Sequence, residues 1–217
     1  LDAPAPTYPA EELAALEASR RLEWDPDNLP SLHVHVDYGE GEKGAWYPKG
    51  ESPVLAALVR EGQLPPVQER TGPEPVVMHG VDGIGEYGGT WLRAATSVND
   101  ISIISWRLSA SGLARWSPMA YPIEPQVAKT IEPSEDHQAF LITLRKGLRW
   151  SDGHPFTTDD IMYWWEQEVK DKEVSGIIPD WLVVGGVPGE FEQLDDLRIR
   201  VTFSQPHGLF MELLTQL

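Results

Sequence analysis

FLITLRKGLRWSDGHPFTTDDIMYWWEQEV, residues 140–169, reads strand, turn, helix. Phe140, Ile142 and Leu144 recur at every second position, the period that puts them on one face of a strand. Leu148 and Trp150 carry the apolar pattern past Lys146-Gly147. Ser151-Asp152-Gly153 is turn chemistry, and Gly153 can take a positive φ. Pro155 fixes an extended lead-in. Thr157 or Thr158 then offers a side-chain oxygen to cap a helix, with Asp159 and Asp160 in the first turn, where the helix dipole favours negative charge. Ile161, Met162, Trp165 and Val169 follow at helical spacing and form the expected buried stripe.

The same residues carry a resemblance. Leu144, Arg145, Gly147, Trp150, Ser151, Asp152, Gly153, Pro155, Thr157 and Asp160, in that order, resemble the signature segment of the bacterial extracellular solute-binding proteins of family 5. These are the oligopeptide, dipeptide and nickel receptors that serve ABC importers. The resemblance implies an α/β, periplasmic-binding-protein-like fold of class II. Residues 1–85 would be a Pro-rich N-terminal extension, and residues 86–217 the start of lobe I with the extra subdomain of the oligopeptide-receptor group at about 101–206. The second lobe would be absent, and the chain would be a fragment or half of a split protein, incomplete at its C-terminus. In such receptors this motif belongs to the framework, not to the ligand site.

Composition narrows the partners. The 217 residues include 34 acidic and 17 basic ones, a formal charge of −17 spread along the chain. Nucleic acid and anionic membrane surfaces, which require positive charge, are poor partners for such a chain, and no nucleic-acid partner is expected. Apolar residues make up 41%, enough for a core, and cysteine is absent, so thiol chemistry and disulfides are ruled out. No run approaches the roughly 18 apolar residues of a membrane-spanning helix. No leader is visible ahead of Leu1; a periplasmic or extracellular, cell-surface location, with anchoring through a lost N-terminal lipid, is implied by the resemblance alone.

Outward from the central stretch, Leu197, Ile199, Val201 and Phe203 alternate as a half-buried strand. Asp195-Asp196 fits a hairpin turn with Glu190 to Leu194, Leu182 to Val187 reads as a short strand or turn, and His207 to Leu217 opens a helix. On the N-terminal side, Trp91 to Thr96 is the expected first strand, Ile101 to Arg115 a helix, Pro118 to Pro125 a loop, and Ile123 to Thr130 a helical turn. Ala10 to Leu22 reads as a helix and Leu32 to Tyr38 as a strand. Ser52 caps a helix with Pro53 at its first position, ended by Gly62, and Leu64 to Pro75, with four prolines, should be extended.

By position in the resembling receptors, Thr96, Ser97, Val98 and Asn99 would line a ligand cleft after the first strand, offering hydroxyl, amide and backbone groups to a peptide-like or neutral polar solute. Trp181, near Ile177 and Ile178, would fall on a second loop, where an indole packs on a ligand side chain or stacks on a sugar ring. Nine tryptophans suit oligosaccharide platforms as well as a core; Trp106, Trp116, Trp164 and Trp181 are the candidates. His33, His35 and Asp37 alternate and would share a strand face, either a metal seat or a solvated surface. Asp159-Asp160 could suggest a carboxylate pair of a glycoside hydrolase, but neighbours at a helix start point about 100° apart, and capping accounts for both. No catalytic residue, metal or cofactor is therefore assigned. The implied partners are a peptide or oligosaccharide ligand and an ABC transporter permease.

Overall fold

The computed structural model describes residues 36–78 except 45 and 49, residues 94–102, 111–117 and 121–215, together with Glu11 and Tyr87. The expected helix at 10–22 apart from Glu11, the pair His33 and His35, and residues 103–110 with Trp106 lie outside them.

In chain order the described elements begin with a 3₁₀ turn at Tyr38–Lys43, α1 at Pro53–Arg60 and α2 at Val67–Arg70. They continue with β1 (Ala114–Trp116), β2 (Ile123–Pro125), β3 (Ala128–Pro133) and β4 (Ala139–Leu144). Next come α3 (Thr158–Tyr163), a π-helical turn at Trp164–Val169, and a 3₁₀ turn at Asp180–Leu182. The last are β5 (Val183–Val184), β6 (Val187–Pro188), β7 (Glu190–Asp195), β8 (Arg198–Thr202) and α4 (Phe210–Leu213).

The central stretch folds as its pattern demands. β4 is the second strand of a four-stranded antiparallel sheet in the order β3-β4-β8-β7. Phe140, Ile142 and Leu144 are all buried, and Phe140 faces Val201 as Ile142 faces Ile199 in register. Burying these aliphatic and aromatic side chains supplies the main driving force for the fold. The Phe140 ring lies 4.6 Å from Phe210 and 6.2 Å from Phe203, and Phe203 and Phe210 are 5.0 Å apart, so α4 and the end of β8 close over β4.

The corner at 151–153 is a turn, with Gly153 at φ 91. Thr157 caps α3: its Oγ1 accepts the Asp159 N–H at 3.2 Å, and Asp160 Oδ2 accepts the Thr157 N–H at 2.8 Å, a reciprocal capping box. Thr158 is fully buried and donates its hydroxyl to the Asp195 carbonyl, tying the helix start to the β7–β8 turn. That turn is set by Asp195 Oδ1, which accepts the Leu197 and Arg198 N–H groups at 3.0 and 2.8 Å. Gly185 and Gly186, at φ 62 and 79, form the two-residue turn between β5 and β6 within the expected strand-or-turn segment.

Several expectations are corrected. Trp150 is 50% exposed, because β4 ends at Leu144 and Gly147, at φ 81, breaks the alternation before it. It is still held: its Nε1 donates to Asp160 Oδ1 at 3.1 Å, and its ring meets Phe156 edge-on at 5.1 Å. Trp165 and Val169 are buried, whereas Ile161 and Met162 are half-buried, and the helix changes register, the Lys170 N–H reaching the Trp165 carbonyl five residues back. Ile123 to Thr130 holds β2 and the start of β3 across a bend at Gln126-Val127, not a helical turn, and Ala114-Arg115 pairs with Pro125-Glu124 where a helix end and a loop were expected; the β-branched Ile123, Thr130 and Ile131 favour the pleated form. α2 interrupts the extended segment 64–75, the fixed φ of Pro66 (−52°) leading into it. Tyr38 begins a 3₁₀ turn rather than ending a strand, since Asp37 Oδ1 takes the Gly39 N–H at 2.8 Å. α4 covers only part of the expected helix from His207. α1 meets its expectation, with Ser52 Oγ accepting the Leu55 N–H and Pro53 at the first position.

Residues 36–78 are fastened to the sheet by polar groups. The Tyr38 hydroxyl donates to the Pro75 carbonyl at 2.6 Å and accepts from Arg145 Nη1 at 2.9 Å. Glu74 is buried, taking Lys129 Nζ at 2.8 Å on one oxygen and the Lys146 N–H at 2.9 Å on the other. Arg145, also buried, donates Nε to the Gln126 carbonyl at 2.7 Å. The signature arginine is thus a structural cross-link from β4 to the segment before it.

Candidate functional site

One face of the sheet opens into a cleft of about 530 Å³, within the roughly 300–1,000 Å³ of small-molecule sites. Ile142, Ile199 and Val201 form its floor, which β-pairing holds flat. Ile161, Tyr163, Trp164 and Glu168 of the helical segment also line it, together with Leu113, Trp150 and Trp181. The floor residues are almost free of solvent, so the open space lies toward the half-buried Trp164 and Trp181 and the exposed Tyr163.

The wall rings are braced from behind. Trp164 meets Phe191 edge-on at 6.3 Å, and Trp181 stacks on Phe210 at 6.2 Å with 27° between planes. His207 Nε2 donates to the Trp181 carbonyl at 2.9 Å, pinning the backbone that carries the indole. Asp160 is committed through both oxygens, to Trp150 Nε1 and to the Thr157 N–H, and Asp159 Oδ1 accepts Gln193 Nε2 at 2.6 Å. These neighbouring carboxylates act as caps and braces, and neither is poised for acid–base work.

Of the residues expected to contact a ligand, Trp181 lines the cleft; Thr96, Ser97, Val98 and Asn99 do not. Those four are exposed, and the Asp100 carboxylate gathers the first of them. It accepts the Thr96 N–H at 2.6 Å, the Thr96 hydroxyl at 2.9 Å and the Ser97 N–H at 3.0 Å, and these donors hold its carboxyl below the ordinary 3.8. The segment expected to end a strand instead spends its N–H groups on a side chain; Ala94, Ala95 and Thr96 are not strand, and Trp91 lies outside the described residues. Ile177 is 74% exposed, while Ile178 packs on the core. Trp164 reaches the cleft; Trp116 is 44% exposed and is not among its walls. Glu168 was missed, because its approach depends on the π-helical register, which side-chain periodicity does not reveal. Among the described residues there is no group of three His, Cys, Asp or Glu side chains able to hold a metal, and no helix long and apolar enough to cross a membrane.

This sheet-and-helix arrangement is that of periplasmic solute-binding proteins. Residues 122–217 match the family described as bacterial extracellular solute-binding proteins, family 5 Middle, and over that span the chain belongs to family 5. The periplasmic alpha-galactoside-binding protein of Rhizobium meliloti (strain 1021) is 29% identical over 178 residues, 70% of this chain and 25% of that protein. A structure of the oligopeptide-binding protein OppA superposes with a TM-score of 0.66 at 38% identity, covering 77% of this chain and 26% of that one. The periplasmic binding protein MelB of Agrobacterium fabrum C58, solved in complex with stachyose, gives a TM-score of 0.57 at 26% identity, covering 77% of this chain and 28% of that one. The chain spans about a quarter of the length of these relatives.

Proposed function

We propose that this chain is part of the substrate-binding component of an ABC importer, capturing oligopeptides or dipeptides outside the cytoplasmic membrane and performing no chemistry on them. The observation that carries the peptide reading is the 38% identity to the oligopeptide-binding structure over 77% of the chain. Capture works by closure of two lobes on the solute, the ligand stabilising the closed form by its higher affinity for it. A permease is the receiving partner, and a periplasmic or cell-surface location follows from the same reading.

A second reading, an oligosaccharide receptor of the same family, is favoured by the alpha-galactoside-binding relative and by the stachyose complex. Calorimetric titration of the full-length gene product with a pool of short peptides and with stachyose separates the two. Saturable heat is expected with peptides and none with stachyose. Heat with stachyose alone would establish the second reading, and heat with neither would end both.

A further inference from the structure

A second cavity, of about 620 Å³, lies where the N-terminal segment meets the signature stretch, and it shares no lining residue with the cleft over the sheet. Its lining comes from three places far apart in sequence: residues 46–48, 68–73 and 147–149. The last two are in direct contact. Gly72 and Gly147 have φ of 71 and 81, and a Cβ on Gly147 would fall 2.4 Å from Pro73 Cδ, so only glycine allows the approach. Gln68 Nε2 donates to the Pro48 carbonyl at 3.3 Å and ties the first to the second.

The charges in the lining decide what it can take. Arg70 is committed: its Nε donates to the Pro65 carbonyl at 3.0 Å, and its Nη2 pairs with Glu51. Arg149 donates Nη1 to the Gly153 carbonyl at 2.8 Å and has no carboxylate partner among the described residues. The side chains of Glu69 and Thr71, both exposed, make no hydrogen bond or ion pair among those residues. The groups left over are one carboxylate, one guanidinium, one hydroxyl and the Gln68 amide oxygen, without net charge. A cation would meet Arg149, and an anion would meet Glu69 and the chain's formal charge of −17. A neutral solute that both donates and accepts suits the set. Trp46 and Tyr47, edge-on at 5.5 Å, add aromatic surface to the lining. Trp46 Nε1 is buried with no acceptor, a donor left unmatched beside this cavity.

We propose that this cavity binds one ring of a neutral saccharide, separately from the solute that the receptor transports. The ring's apolar face packs on the aromatic surface, while its hydroxyls donate to Glu69 and accept from Arg149 and Thr71. One ring, about a dozen non-hydrogen atoms, binds at ~1 mM, so micromolar stachyose leaves this cavity empty in the titration that separates the peptide and oligosaccharide readings.

The test is ¹⁹F NMR of the full-length gene product labelled with 5-fluorotryptophan, titrated with galactose and with glucose; the Trp46 signal is identified by its loss in Trp46→Phe. That signal should shift saturably with at least one sugar, with a midpoint of ~1 mM, and saturating Phe-Ala-Ala should leave the shift in place. Glu69 is exposed, so Glu69→Gln leaves the fold intact, and it should raise the midpoint about tenfold, the scale of a charge-assisted hydrogen bond. A Trp46 signal that neither sugar moves, or a Glu69→Gln midpoint equal to that of the wild type, would overturn the site. Reversal of the shift by Phe-Ala-Ala would overturn its separateness from the transported solute.

Discussion

Replacing Phe140 by Ala is expected to destabilise the fold by about 3–5 kcal/mol, the range for emptying an aromatic site in a packed core. Phe140 is 1% exposed and sits on a central strand, opposite Pro133 on one side and Val201 on the other. Its ring touches both Phe203 and Phe210, so its loss leaves a void beneath α4 as well as beside β8. Pro133 and Val201, its partners on the flanking strands, are fixed by the sheet ladder and cannot collapse into the gap. Urea denaturation of the full-length protein should show a lower midpoint with an unchanged slope for the transition that includes this subdomain. A loss below about 1 kcal/mol would mean that the three phenylalanines do not form its core.

Glu74→Ala is expected to cost about 2 kcal/mol, because it strands the Lys146 N–H and leaves Lys129 without its partner. The figure is held below the roughly 3–5 kcal/mol of a broken buried pair since the Lys129 side chain is 36% exposed. Burial pushes the Glu74 carboxyl up, but the Lys129 ammonium and the Lys146 N–H together outweigh it and hold it below its ordinary 4.5. A depressed folded-state pKa makes the contribution complete above pH 4.5, the unfolded value, and lost as pH falls through the folded value. The wild type should therefore lose this increment on acidification below pH 4.5, while Glu74→Ala loses nothing from it. Hydrogen exchange supplies the local readout: the Lys146 amide should exchange faster in the variant at neutral pH, and equal rates would contradict the contact.

How much of this was legible in the sequence follows from the range of the interactions. The capping box at Thr157 and Asp160, the corner at Gly153 and the Asp195 turn are local, so residue type and spacing announce them. The alternation in β4 and β8 is equally explicit, since one face is buried throughout. Trp150 is less readable. Its apolar character suggested burial, but its position beyond Gly147 leaves it half exposed, and only the bond to Asp160 shows what it does. The strand at Ile123–Pro125 depends on pairing with Ala114–Trp116, whose own helical appearance concealed the partner. Arg145 illustrates the long-range case: nothing near it in sequence shows that its guanidinium meets Tyr38, 107 positions away. The cleft was legible only through Trp181 and Trp164; its floor arises from register and its carboxylate from a π-helical turn.

Capture without chemistry is the claim on which the functional account depends, and native mass spectrometry of the full-length protein incubated with Phe-Ala-Ala tests it most directly. The account predicts a complex heavier than the free protein by one intact tripeptide, with the same tripeptide recovered unaltered on denaturation. Cleaved products in the recovered fraction, or free protein alone at saturating tripeptide, would contradict it.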